Sequence, residues 1–319
     1  MMAGQGRMWA VVVVAAATLL SGCASFEYTK AAPAQQAAVT VKASGEELSG
    51  WTDLPIGTYR VPESDIIISG HQKGHMAGLL FGVVGVAVAH AANAGAGADT
   101  VKDAESILKI KLHDAFDASV ARVLAAGGYG GRYTQERAQG SVRLVVTPAA
   151  VLSFVSDTQV RPFVVLKAVM LGADSKPLWT TRYIASSAQL RPMLGDGGWL
   201  DQDGGALKST LQDNLDKAVR TMLADVAKPY PRDDNELTMV QANFPHVRQR
   251  FQTVGYRLSE DDNQLTFVPK LGDVLVFAGV NIFDKAAIHY RAATKDDAVF
   301  KMLPETPASD AGRGSDGGH

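Results

Sequence analysis

The order of amphipathic segments in the middle of this chain limits its fold more than any other feature. Apolar residues recur at helical spacing at Leu108, Leu112, Phe116, Val120 and Val123–Leu124. Thr100 and Asp103 read as a capping box ahead of them, and Gly127-Gly128 as the stop. A second helical period runs through Leu207, Leu211, Leu215, Val219, Met222 and Val226 and ends at Lys228-Pro229. Between the two lie strand-like runs. "SVRLVVTPAAVLSFV" is expected to bend or break at Pro148. "RPFVVLKAVML" and "LWTTRYIAS", joined by the turn formers "GADSKP", predict an antiparallel hairpin. Each helix carries one apolar face that needs covering. Residues 99–230 are therefore expected to form an α+β fold, a two-layer sandwich of antiparallel sheet and two amphipathic helices.

The flanks are different in character. Residues 39–98 begin with short strands, "VTVKA" and "IGTYRVPESDIIIS", and continue into the nearly uncharged stretch Ala77–Ala98. Its small residues Gly78, Gly82, Gly85, Ala89, Ala92 and Ala96 alternate four and three apart, which on a helix makes one seam open to close backbone approach. A bilayer span needs about 20 apolar residues. The uninterrupted run Met76–Ala89 is shorter, and His90 and Asn93 break the apolar character of the remainder. The segment reads as a Gly/Ala-rich helix packed against its own domain or against a second copy. Residues 235–302 predict a small β-rich C-terminal region with "EDDN" as a turn, and 303–319 a disordered tail.

The N-terminus gives an address. Arg7 precedes the apolar run "MWAVVVVAAATLL", which ends in Leu20-Ser21-Gly22-Cys23, and Cys23 is the only cysteine in the chain. The tetrapeptide resembles the lipobox of bacterial lipoproteins. That resemblance implies a signal peptide over 1–22, and Cys23 carrying diacylglycerol and a further acyl chain such as palmitate. With Ala24 rather than Asp after the cysteine, it implies the periplasmic face of the outer membrane. Residues 23–38, small and weakly patterned, read as a tether. The order of the middle elements, with Asp174-Ser175-Lys176-Pro177-Leu178-Trp179 at the hairpin turn, is similar to periplasmic α-β-β-α lipoproteins. Among these are the lipopolysaccharide-assembly lipoprotein, auxiliary lipoproteins of ABC-type transport systems and the N-terminal domains of secretion lipoproteins.

Chemistry is sparse. A formal charge of -2 argues against nucleic acid as a partner. His71 and His75 have the i, i+4 spacing of a metal pair, but Gln72 stands where the zincin glutamate would be, and they read as loop histidines. Asp196, Asp201 and Asp203 echo part of a calcium loop without its alternation or terminal glutamate, and read as loop solvation. "GGYGG" comes after a helix instead of preceding one, so it is no phosphate cradle, and there is no G-x-S-x-G elbow. The expectation is a protein that is not an enzyme, with no metal and no cofactor beyond its acyl groups. It would be an accessory or structural lipoprotein of a cell-envelope assembly or transport complex, bound to the membrane through its anchor and to a second copy or an envelope protein. The alternative is a ligand-binding module using the Gly195–Gly205 loop or the C-terminal strands.

Overall fold

A computed structural model of the chain describes residues 28–50, 53–55, 57–70, 98–99, 101–104, 107–136, 141–272 and 274–304. The N-terminal part gives β1 (Val39–Ala43), β2 (Tyr59–Arg60) and β3 (Ile66–Ser69), then α1 (His113–Ala125) and β4 (Tyr133–Thr134). The middle gives β5 (Arg143–Phe154), β6 (Gln159–Leu171), β7 (Pro177–Ser186), β8 (Arg191–Pro192) and the long helix α2 (Gly205–Ala227). The C-terminal part adds β9 (Leu237–Asn243), β10 (Arg250–Glu260), β11 (Gln264–Pro269), β12 (Val280–Asp284), β13 (His289–Ala292) and β14 (Phe300–Met302).

Among the described residues these fourteen strands join in one mixed sheet with the main order β13-β9-β10-β11-β12-β7-β6-β5-β1-β4. This corrects the expected two-layer sandwich of antiparallel sheet and two amphipathic helices, with a small β-rich C-terminal region beside it. Two parallel joints make the difference. β12 runs parallel to β7, pairing Val280–Ile282 with Tyr183–Ala185, and so carries β9–β11 into the same sheet. On the far side, β1 and β3 lie end to end along the outer edge of β5, both parallel to it. The Gly/Ala-rich helix expected before the core lies outside the described residues.

The composition of β5 and β6 explains why two helices do not complete the fold. Leu144, Val146, Ala150, Leu152, Val164, Leu166, Ala168 and Met170 point to the face covered by α1 and α2, where Phe116, Val120, Leu211, Leu215 and Met222 meet them. The intervening residues are apolar as well: Ala149, Val151, Phe163 and Val165 form a second cluster with Ile67 and Ile184 on the opposite face. Strands buried on both sides need two covers. The second is an irregular segment, whose Leu48 and Leu54 close over that cluster. A third cluster, built on Phe244, Phe251, Phe267, Phe277 and Phe283, belongs to the C-terminal strands.

Two local expectations change for physical reasons. β5 is unbroken at Pro148, which pairs with Leu166 of β6. β1 stops opposite Val146 and β3 begins opposite Ala150, so the missing N–H falls in the gap between them and no ladder bond is lost. The first helix starts at His113, later than its periodicity suggested, and it has no side-chain cap of its own. Asp65, just before β3, supplies one from 47 residues upstream: its carboxylate accepts from Leu112 N at 2.6 Å and lies 2.9 Å from His113 Nδ1. The Asp65 N–H also binds the Ile110 carbonyl, which ties the link ahead of α1 to the start of β3.

Candidate functional site

Beyond the end of α2 the sequence Pro229-Tyr230-Pro231-Arg232 leaves the helix in a segment whose two prolines fix φ. It turns back against residues 28–32, which begin the described chain. Those residues, read from the sequence as part of a tether, are bound to the sheet. Thr181 Oγ1 donates to the Tyr28 carbonyl at 2.9 Å, and the Trp179 indole donates to the Lys30 carbonyl at 3.0 Å. Arg232 Nε donates to the Thr29 carbonyl at 3.3 Å. Tyr28 and Ala32 are buried, and the Arg182 guanidinium lies over the Tyr28 ring at 5.1 Å. Burial is the main cause raising the Tyr28 phenol above its ordinary pKa.

Between these two segments and β10 lies a cleft of about 410 Å³, lined by Thr29, Lys30, Tyr230, Arg232, Tyr256 and the two prolines. Tyr230 and Arg232 connect it to a buried polar network. Asp225, on the apolar face of α2 and fully buried, accepts from Tyr183 Oη at 2.9 Å and from the Tyr230 N–H at 3.2 Å. Arg232 Nη1 stands 3.5 Å from the same carboxylate and also donates to the Tyr230 carbonyl. Burial and then the Asp225 charge hold the Tyr183 phenol well above its usual range. Arg232 Nη2 has no acceptor among the described residues. Tyr256, which lines the cleft, has Lys270 5.9 Å from its ring centroid, and Lys270 and the Tyr256 hydroxyl both bind Asp234, at 2.7 and 3.1 Å. Those two hydrogen bonds lower the pKa of Asp234, and the bond to Asp234 raises that of Lys270.

A second polar region lies in the interior, on the sheet face away from the helices. Asp53 takes Lys167 at 2.7 Å and Arg182 at 3.3 Å, pinning the segment that carries Leu48 and Leu54 across the sheet. Farther along the same face Ser69, Ser153 and Arg161 stand side by side in register. Arg161 is buried and its Nη1 donates to the Ser187 carbonyl at 3.3 Å, while its Nε and the Ser153 hydroxyl find no partner among the described residues. Burial, with the Arg250 charge, brings Arg161 down to about 10. His246, buried in a left-handed backbone conformation, places Nδ1 3.3 Å from Ser69 Oγ. Burial first and the Arg182 charge second push its pKa down to about 3, so it is neutral.

The residues singled out in the sequence fall elsewhere. Cys23, the seam residues Gly78, Gly82, Gly85, Ala89, Ala92 and Ala96, and both His71 and His75 lie outside the described residues. Asp201 closes its own loop, accepting from the Gly197 N–H at 3.0 Å, and the Asp203 carbonyl binds Lys208. Among the described residues no three His, Cys, Asp or Glu side chains converge as metal ligands. No helix among them is long and apolar enough to cross a membrane. The cleft was missed because residues 25–38 read as a tether. One signal pointed to it: Asp225 sits at a core position of an amphipathic helix, where a carboxylate needs buried donors.

No protein-family model matches the chain, and no curated protein does. Among solved structures it is similar to a minor lipoprotein from Acinetobacter baumannii. The identity is 12%, over 36% of this chain and 82% of that one, with a TM-score of 0.29.

Proposed function

We propose that the chain is a lipoprotein anchored through Cys23 at the periplasmic face of the outer membrane, acting without catalysis as an accessory component of a cell-envelope assembly. The observation that carries this reading is Leu20-Ser21-Gly22-Cys23 at the end of a signal-length apolar run, with the only cysteine of the chain in the position that acylation needs. The packing of residues 28–32 supports it, because a sheet-bound segment lies only five residues beyond that cysteine. Acyl chains contribute about 0.8 kcal/mol per buried methylene, so two or three of them hold a domain at a bilayer without a transmembrane helix. In this reading the glycine seam of 77–98 offers the contact to a second copy or to an envelope partner. The reading is tested by Cys23→Ser: the variant is expected to leave the membrane fraction, and full retention would overturn the anchor.

A further inference from the structure

We propose that the cover over the second sheet face, carried by residues 45–50 and 53–55, is a displaceable lid: it lifts while the sheet and both helices stay folded, and Asp53 is its latch. The two faces of β5 and β6 are closed in different ways. On one, α1 and α2 satisfy their own backbones and bury side chains along their lengths. On the other, Leu48 and Leu54 close over Ala149, Val151, Phe163 and Val165. Residues 45–50 and 53–55 take no part in the ladders of β3, β5, β6 or β7. Their backbone groups bind locally instead. The Asp53 and Leu54 N–H groups reach the Gly50 carbonyl at 3.2 and 3.0 Å, and the Ser49 N–H reaches the Asp53 carboxylate at 3.2 Å. Lifting the cover therefore breaks no strand pairing and leaves those bonds intact, which is the condition for opening below the level of global unfolding. Gly50, at φ of +68°, has open space where a Cβ would stand, and gives the cover a place to turn.

The grip on the sheet face comes from these two leucines and from Asp53, which takes Lys167 at 2.7 Å and Arg182 at 3.3 Å. The Asp53 and Arg182 side chains are almost fully buried. Removing such charges from water costs much of what their attraction returns, so the ion pairs fix where the cover sits more than how firmly it is held. Lifting it returns the Asp53 carboxylate to water. At the edge, Arg60 of β2 binds the Leu48 carbonyl and lies 3.4 Å from the exposed Glu47 carboxylate, a pair of little strength. His113 Nε2 stands 3.4 Å from the Glu46 carbonyl, at the long end of hydrogen bonding. Two leucines and these marginal ties hold less tightly than the packed helices on the opposite face. Asp53→Asn would leave Lys167 and Arg182 facing a neutral amide and so favours the open state.

Neighbouring residues of β5 supply the test. Ala149 and Ala150 are both buried and face opposite ways, Ala149 under the cover and Ala150 under the helices. Each is replaced by cysteine in the full chain, a small thiol reagent is added under native conditions, and peptide mapping reads the label at that site apart from Cys23. Labelling of Ala149→Cys is expected to be on the order of a hundredfold faster than that of Ala150→Cys. Adding Asp53→Asn is expected to speed it about tenfold further and to leave Ala150→Cys unchanged. Val165→Cys and Val164→Cys, the corresponding neighbours on β6, repeat the comparison should an alanine variant fail to fold. Equal rates on the two faces would overturn the lid, because both positions would then wait for global unfolding. Equal acceleration of both by Asp53→Asn, or of neither, would overturn Asp53 as the latch.

Discussion

At the scale of single residues, the described interior holds Asp53, Asp65, Arg161, Arg182, Asp225 and His246 among its buried side chains. His246 is the clearest case for a measurement. Its pKa is pushed down to about 3 by burial and by Arg182, against an ordinary value near 6.5. A group whose pKa is depressed on folding contributes stability above its unfolded value, and that contribution is lost as the pH falls. Between about pH 6.5 and 4.5, stability should therefore drop by up to about 1.4 kcal/mol per pH unit. His246→Asn tolerates the left-handed backbone and does not titrate, so it should flatten that slope in urea unfolding. An unchanged slope would place the titration elsewhere. Glu260 acts in a lower window. Hydrogen bonds from Tyr290 and Lys285 hold it down to about 2, so its contribution is lost below the usual carboxylate range. Such residues were partly legible: Arg161, Lys167, Arg182 and Asp225 interrupt apolar runs where exposure is implausible. Which charge meets which was not legible, because Asp53 lies 114 residues from Lys167 and 129 from Arg182.

At the scale of elements, periodicity located both long helices and the β6–β7 hairpin, and misjudged how α1 begins. The chain upstream of His113 has helical spacing at Leu108 and Leu112, but Asp65 captures the Leu112 N–H and binds the Ile110 carbonyl, so residues 109–111 stay non-helical. The negative charge also faces the positive end of the α1 dipole. Asp65→Ala would leave that buried N–H without an acceptor. We expect a loss of about 2–3 kcal/mol in denaturant unfolding and faster amide exchange over 110–116, with Asp65→Asn milder. A loss below about 0.5 kcal/mol would show that α1 does not depend on this remote cap. Pro148 carries the complementary lesson. Proline predicts a break only where its N–H would have been used, and the gap between β1 and β3 leaves that position free.

At the scale of the molecule, the parallel joint between β7 and β12 makes one sheet of what the sequence offers as two regions. Gly279 leads into β12 with φ of +98°, and a Cβ there would stand 2.4 Å from the Arg182 carbonyl oxygen. Gly279→Ala should cost more than about 2 kcal/mol, from left-handed strain and the backbone clash together. Because β9–β11 reach the main sheet through this joint, tryptophan emission and amide exchange in β9–β11 should still report one shared, lowered midpoint. Two separate midpoints would mean that the C-terminal strands fold as their own unit. The features readable from the chain alone are local: two helical periods, one hairpin, the lone cysteine after Leu20-Ser21-Gly22, and apolar content on both faces of β5 and β6. Tertiary contacts alone set which edges joined in parallel, which irregular segment covered the second face, and where residues 28–32 came to rest. Periodicity and turn chemistry act over a few residues and leave a trace in order. Parallel pairing, remote capping and buried ion pairs depend on groups brought together from distant parts of the chain, and no local pattern records them.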